Sequence, residues 1–219
     1  QEQFQACDLR VEGNQVFFKI AGKEGETIEE GNRLELTGED GVLYLNGEPL
    51  EGRPRCLRTQ AAEAGIRVAS LTRNAGHPVY GGALEIWPAD EGFYLVNEVP
   101  LETYLAYVVP SEMPSGYHME ALKAQAVAAR TYALNKGPSF NHPDADLCTD
   151  YACCQAWIAR DKAQGNWGDK AAEYTNKITT AVAETGNQVI LYQGQLIDAV
   201  FHSSSSAATQ DAVEVWGNS

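Results

Sequence analysis

Within VVPSEMPSGYHMEALKAQAVAARTYAL, residues 108–134, a single carboxylate, Glu112, stands between Ser111 and a Met113–Pro114 break. Pro110, Pro114 and Gly116 stiffen or shape the turn around it, and helical sequence lies on both sides. Such a setting can present an acid with its orientation fixed. A carboxyl partly shielded from water can donate a proton near neutral pH. The plainer reading is a solvated acid at a helix end. In the helix that follows, Lys123 and Arg130 share a face with Val127 by i, i+4 and i, i+3 steps, and Gln125 lies elsewhere. Either the two cations mark the wet edge of that helix and pair with surface acids, or they face a cleft and hold a polar substrate.

A second constellation is NHPDADLCTDYACCQAW, which sets His142, Cys148 and Cys154 at six-residue intervals with Cys153 as an extra. Soft thiolates with an imidazole suit Zn²⁺, three protein ligands leaving a fourth position for water or another group. The spacing is not that of common zinc fingers. A Cys148–Cys154 disulfide, with Cys7–Cys56 as another, and simply buried thiols are the competing readings. Asp144, Asp146 and Asp150 are less natural zinc partners beside thiolates and are expected to shape the loop. His202 ends a strand in AVFHSSSS, where Ser203, Ser204 and Ser205 are either cleft hydroxyls or an ordinary turn. The context of a nucleophile elbow is missing, which speaks against a Ser/His hydrolase.

The elements that must position these groups divide the chain. Residues 1–92 read as a β-rich N-terminal lobe: short runs of β-branched and aromatic residues, punctuated by Gly, Asp and Asn, with turn signals at Asp40–Gly41 and Asn46–Gly47. A hairpin is expected from Ala83–Trp87 to Phe93–Val96. From Pro100 the period changes. Leu101, Tyr104, Leu105 and Val108 have helical spacing, with Pro100 in the first turn. Residues 119–136 form a second helix, stopped by Gly137–Pro138. Its Leu122, Ala126, Ala129 and Ala133 line one face and further alanines cover others, so it should be central and largely buried. A loop over 138–154, a third helix ending at Gly186 and two strands about YQGQ complete an α+β core over 93–219. The chain stops at EVWGNS straight after an apolar Val–Trp, so a longer C-terminal portion is expected.

Composition bounds the partners. A chain of 219 residues supports one substantial core, or a main domain with a smaller lobe. A net charge of −14 argues against a nucleic-acid backbone, which needs clustered Lys and Arg. No apolar run approaches a membrane span. The N-terminus lacks Met, which suggests processing. Five cysteines leave at least one outside any intrachain disulfide.

The stretch NEVPLETYLAYVVPSEMPSGYHMEALKAQAVAARTYAL closely resembles the core of the stage II sporulation protein D family, also called the SpoIID/LytB or amidase-enhancer domain. PLETYL, EMP and EALKAQAVAARTYA carry the likeness, which continues through DLCTDYACCQAW and AVAETGNQVILYQGQLIDAVFHSSSS. The resemblance implies a peptidoglycan lytic transglycosylase that cleaves the N-acetylmuramic acid–N-acetylglucosamine bond and leaves a 1,6-anhydro end. The acid of the EMP motif is Glu112, and the family's metal site, where present, falls on His142, Cys148 and Cys154. Lys123, Gln125 and Arg130 lie in the motif and would position the glycan; Tyr151, His202, Ser203, Ser204 and Ser205 would assist. Ordinary glycosidases need two carboxylates. Here the sugar's own 6-hydroxyl is the nucleophile, so one suffices. The alternative is a non-catalytic glycan-binding module that stimulates a cell-wall amidase. Either reading implies glycan strands, and wall hydrolases, as partners in the extracytoplasmic bacterial envelope. The family usually carries paired glycines after the serines, where this chain has Ala207 and Ala208.

Overall fold

The computed structural model describes residues 3–10, 15–21, 33–50, 55–58, 65–69, 77–88, 93–136, 142, 145–206 and 208–216. The fold is α+β. Every described element before Leu101 is a strand: β1 (Gln3–Arg10), β2 (Gln15–Ala21), β3 (Arg33–Glu39), β4 (Val42–Leu45), β5 (Glu48–Leu50), β6 (Arg55–Arg58), β7 (Gly65–Val68), β8 (Val79–Tyr80), β9 (Ala83–Pro88) and β10 (Phe93–Pro100). The two turn signals do what their side chains allow. Asp40 and Gly41 (φ 50° and 73°) join β3 to β4, and Asn46 and Gly47 (φ 51° and 84°) join β4 to β5. Two-residue hairpins of type I′ need positive φ at both central positions, which Asn, Asp and Gly tolerate best.

One six-stranded sheet has the order β5-β4-β3-β2-β7-β8. A five-stranded sheet has the order β11-β1-β10-β9-β6, in which β11 (Leu147–Cys148) arrives from far along the chain and runs parallel to β1. The expected hairpin is β9–β10, paired from Glu98↔Ala83 to Phe93↔Pro88. The division drawn between residues 92 and 93 thus falls inside a hairpin. The apolar clusters divide slightly later. One gathers Leu36, Ile66, Val68, Tyr80, Ile86, Phe93 and Leu95, and the other begins at Val99 and runs to Ala199.

Pro100 caps the helix α1 (Leu101–Glu112), which buries Tyr104, Leu105, Val108 and Val109. Each such side chain contributes about 1.5–3 kcal/mol of apolar burial. The helix does not stop at Pro110, as a proline-bounded turn around Glu112 requires, but carries on to Glu112 itself. Pro110 withholds one N–H from the ladder. The last turn still closes, with the Met113 N–H on the Val109 carbonyl at 3.0 Å. After a turn joined by Tyr117 N–H to Pro114 O (2.9 Å), α2 (Met119–Lys136) buries Leu122, Ala126, Ala129 and Ala133. It packs on α1 and on α4 (Ala171–Glu184), as expected of a small-residue helix at the centre.

The sequence reading passed over α3 (Arg160–Trp167) and the short α5 (Ala212–Trp216). In α3 only Ala163 is buried, so it offers no apolar period to read. The YQGQ turn holds two strands of only two residues each, β12 (Leu191–Tyr192) and β13 (Gln195–Leu196), with Gln193 and Gly194 at φ 50° and 81°. No described helix is long and apolar enough to cross a membrane.

Candidate functional site

Glu112 is the last residue of α1, half-buried, where the carbonyl end of the helix repels a carboxylate by about 0.3–1 kcal/mol. A stronger contact offsets this. The backbone N–H of Ala156 donates to Glu112 Oε1 at 2.7 Å, a hydrogen bond to a charged group of the kind that contributes about 1.5–3 kcal/mol. The segment around Ala156 is tacked along the end of α1. Ser111 Oγ lies 2.6 Å from the Ala156 carbonyl and 2.7 Å from that of Val108, one hydroxyl proton serving both. Ile158 N–H donates to the Tyr107 carbonyl at 3.4 Å. Between them Trp157 stacks on Tyr80 (5.1 Å) and leans on Tyr107 (5.4 Å), bridging the two apolar clusters. Glu112 Oε2 has no hydrogen-bond partner among the described residues.

Two turns earlier on α1 lies Tyr104, fully buried, its hydroxyl 3.5 Å from Gln155 Oε1. Burial first, then the Cys154 thiol, Tyr132, Cys148 and Glu112, push its phenol far above the ordinary range. It therefore remains a neutral hydroxyl and adds no charge beside Glu112.

The same strand of chain leads directly to the thiols. Cys148, Cys153 and Cys154 are free, so the Cys148–Cys154 disulfide is not formed. Strand register also rules out Cys7–Cys56. Cys7 pairs with Val96, Val96 with Glu85 and Glu85 with Cys56. Three inter-strand steps separate them, roughly 14 Å, against a disulfide limit of about 7 Å between Cα atoms. Instead, donor atoms of His142, Cys148, Cys153 and Cys154 all lie within 4.8 Å of one another. His142 Nε2 is 3.2 Å from Cys153 Sγ and 3.5 Å from Cys154 Sγ, and the two sulfurs are 4.0 Å apart. Tetrahedral zinc with its usual bonds to sulfur and nitrogen spaces its ligand atoms roughly 3.5–3.8 Å apart. Donor chemistry and spacing both fit such an ion. The Cys148 side chain beside it lowers the Cys154 thiol, while Cys154 and burial push the Cys148 thiol up. Asp150 shapes the loop, as expected. Its carbonyl accepts the N–H groups of Cys153 and Cys154, and its Oδ1 that of Ala152. Asp144 lies outside the described residues.

Comparison with known proteins bears on this arrangement. Residues 89–192 match the family model described as SpoIID, Stage II sporulation protein. That segment is similar to the SpoIID family. Stage II sporulation protein D of Bacillus subtilis (strain 168) is 36% identical over 124 residues, 55% of this chain and 36% of the relative. The protein of that name from Bacillus amyloliquefaciens is 38% identical over 124 residues, with the same shares. A protein named Amidase enhancer from Bacillus subtilis (strain 168) is 38% identical over 112 residues, 51% of this chain and 13% of that protein. The chain thus spans about a third of the length of the sporulation relatives, and less of the last.

The fold does not gather all the residues that the sequence singled out. Lys123 lies on the wet edge of α2, bonded to Glu184 at 2.7 Å and Glu120 at 3.0 Å, which hold its ammonium above the ordinary range. Arg130, one turn pair further on, departs from both sequence readings. It is 1% exposed and reaches neither water nor a cleft. Its Nε and Nη2 grip Glu102 Oε1 and Oε2 at 2.9 and 2.7 Å. Nη2 and Nη1 also donate to the Val182 and Gln188 carbonyls, both at 3.2 Å. Val182 is in the last turn of α4, whose carbonyls have no helical partner. Gln125 is buried with its Nε2 unpartnered among the described residues. Tyr151 is 82% exposed on the thiol loop, and His202, Ser203, Ser204 and Ser205 are exposed. Ala207 lies outside the described residues. What the sequence could not single out is Ala156, whose contribution is a backbone N–H that any residue but proline offers.

Proposed function

We propose that this chain is the SpoIID portion of a peptidoglycan lytic transglycosylase, which cleaves the bond between N-acetylmuramic acid and N-acetylglucosamine with Glu112 as its one general acid/base. The observation that carries the reading is the Glu112 carboxylate clamped on Ala156 N–H with Oε2 left over, inside the segment that matches the family. Protonated Glu112 gives its proton to the leaving glycosidic oxygen as that bond breaks. The carboxylate then takes the proton of the muramic 6-hydroxyl as its oxygen closes on the anomeric carbon. One group serves both steps, and no water is consumed. Exposed Tyr151 offers an aromatic face, and His202 with Ser203–Ser205 offers hydroxyls and an imidazole, to sugar rings. Arg130 and Lys123 support the fold, and Gln125 is too buried to meet a polymer from outside.

Zinc on His142, Cys148 and Cys154 would supply a structural cross-link: it would pin the loop that ends in Ala156. Substrate chemistry puts the protein outside the cytoplasmic membrane, at the bacterial wall, with wall amidases among its neighbours.

The relative named Amidase enhancer keeps a second reading in view, a glycan-binding module that stimulates an amidase. Digestion of purified glycan strands, with and without stem peptides, followed by mass spectrometry, separates the two. Anhydro-muramyl products are expected from the wild type. Glu112→Gln, which retains an oxygen for Ala156 N–H, should lower their rate at least ~10²-fold, the lower end for a lost acid/base. Intact glycan, together with faster cleavage by an added amidase, would replace the first reading with the second.

A further inference from the structure

We infer that Tyr117 is a sugar-binding platform beside the acid, so that a glycan strand is held at two aromatic rings, Tyr117 and Tyr151, rather than at one. The inference deepens the transglycosylase reading above and rests on it. Two chain segments meet at Glu112: its own, and the one that brings the Ala156 N–H to it at 2.7 Å. Each carries one exposed aromatic ring five residues from that contact, Tyr117 after Glu112 and Tyr151 before Ala156. Tyr117 is 53% exposed and belongs to neither apolar cluster, so the packing of the core does not call for it. A phenol ring offers a flat apolar face with a polar tip. That suits a pyranose, whose C–H groups gather on its faces and whose hydroxyls project from its rim.

Tyr117 differs from an ordinary surface tyrosine in how its backbone is held. Its N–H donates to the Pro114 carbonyl at 2.9 Å, and its own carbonyl accepts from Lys177 Nζ on α4. Tyr174, also on α4, sets its hydroxyl against Gly116, where a Cβ would stand 3.3 Å from that oxygen. Tyr174 is itself fixed, edge-on to Trp167 (5.8 Å, 90°) and with Lys170 Nζ 5.6 Å from its ring centre. On the other side His118 opens α2, its carbonyl accepting the Ala121 and Leu122 N–H groups at 3.0 and 3.2 Å. The turn is thus pinned from α4 and from α2. A backbone already ordered pays little more to bind, which is the advantage of preorganisation. Two rings on one strand also make the second contact intramolecular, so affinity should rise once the strand is long enough to reach both.

The test measures binding apart from cleavage. Protein carrying Glu112→Gln, which keeps the cleft but lacks the acid, is titrated calorimetrically with purified glycan oligomers of increasing length, free of stem peptides. Affinity is expected to rise with length. Adding Tyr117→Ala should weaken binding of the longer oligomers at least ~5-fold, as for an aromatic anchor, and flatten the dependence on length. Tyr117→Trp should restore both, since it keeps a ring on the same turn. The melting temperature of Tyr117→Ala should stay with that of its parent, because an exposed ring outside the core adds little to stability. Equal affinity of Tyr117→Ala and its parent for long oligomers, or a loss that Tyr117→Trp does not restore, overturns the platform and leaves the transglycosylase reading standing. Failure of the parent to bind any oligomer overturns both.

Discussion

Glu112 sits where a helix ends, and a carboxylate there needs compensation. The Ala156 N–H provides it at 2.7 Å, and Ser111 holds Ala156 from the other side. On the proposed reaction Ser111 is therefore a positioning residue, acting on Glu112 through one peptide unit. Ser111→Ala should cost about 1 kcal/mol for the lost hydrogen bond, or roughly 2–4 °C of melting temperature in a chain this size. On the proposed reaction it should lower kcat for anhydro-product release and leave KM nearly unchanged. A melting shift with unaltered kcat would show that Ala156 stays in place without it. Glu112 was legible because the EMP motif, and the prolines and glycine around it, mark the position. Its partner was not, since a main-chain N–H carries no signature in the sequence.

At the scale of elements, α2 is read well from its alanines and badly from its charges. Leu122, Ala126, Ala129 and Ala133 are all buried, as one face of a central helix must be. Lys123 and Arg130 share a stripe, yet Lys123 meets surface acids while Arg130 is sealed in, tying α1 through Glu102 and α4 through Val182 O. The asymmetry of burial gives a prediction. Glu102→Ala leaves a guanidinium that is 1% exposed without its counterion, and should cost about 3–5 kcal/mol in urea unfolding. Arg130→Met should cost less, because Glu102, 43% exposed, can return to water and the methionine refills the space. Equal losses would mean that Arg130 acts mainly through packing and the carbonyls it caps. No helical wheel distinguishes the two cations: their difference is set by what α4 places opposite each one.

For the molecule as a whole, the β-rich lobe and the helical part share one sheet, with β1 seated between β10 and β11. Trp157 belongs to both apolar clusters. The thiol loop enters this frame through Cys148 on β11 and leaves it through Ala156, which is hydrogen-bonded to the end of α1, so a metal held there would couple the sheet edge to Glu112. Zinc at a hundred times its Kd should add ~2.7 kcal/mol, raising the melting temperature by about 5–10 °C, and a chelator should reverse the shift. A melting curve indifferent to zinc would count against the site.

The amino-acid sequence by itself determined what short-range physics governs. Asp40–Gly41 and Asn46–Gly47 turn because those residues accept positive φ. α1 and α2 form because their apolar spacing follows the helical period, and EMP within that context marks Glu112 as the acid of the proposed reaction. The sequence could not decide contacts between distant segments. Arg130 reaches partners 28, 52 and 58 residues away, Glu112 depends on an N–H 44 residues on, and His142 meets Cys153 across a turn that the six-residue spacing does not reveal. Burial, pairing and the meeting of His142 with the thiols are set by which surfaces meet once the helices pack, and only the tertiary structure specifies that.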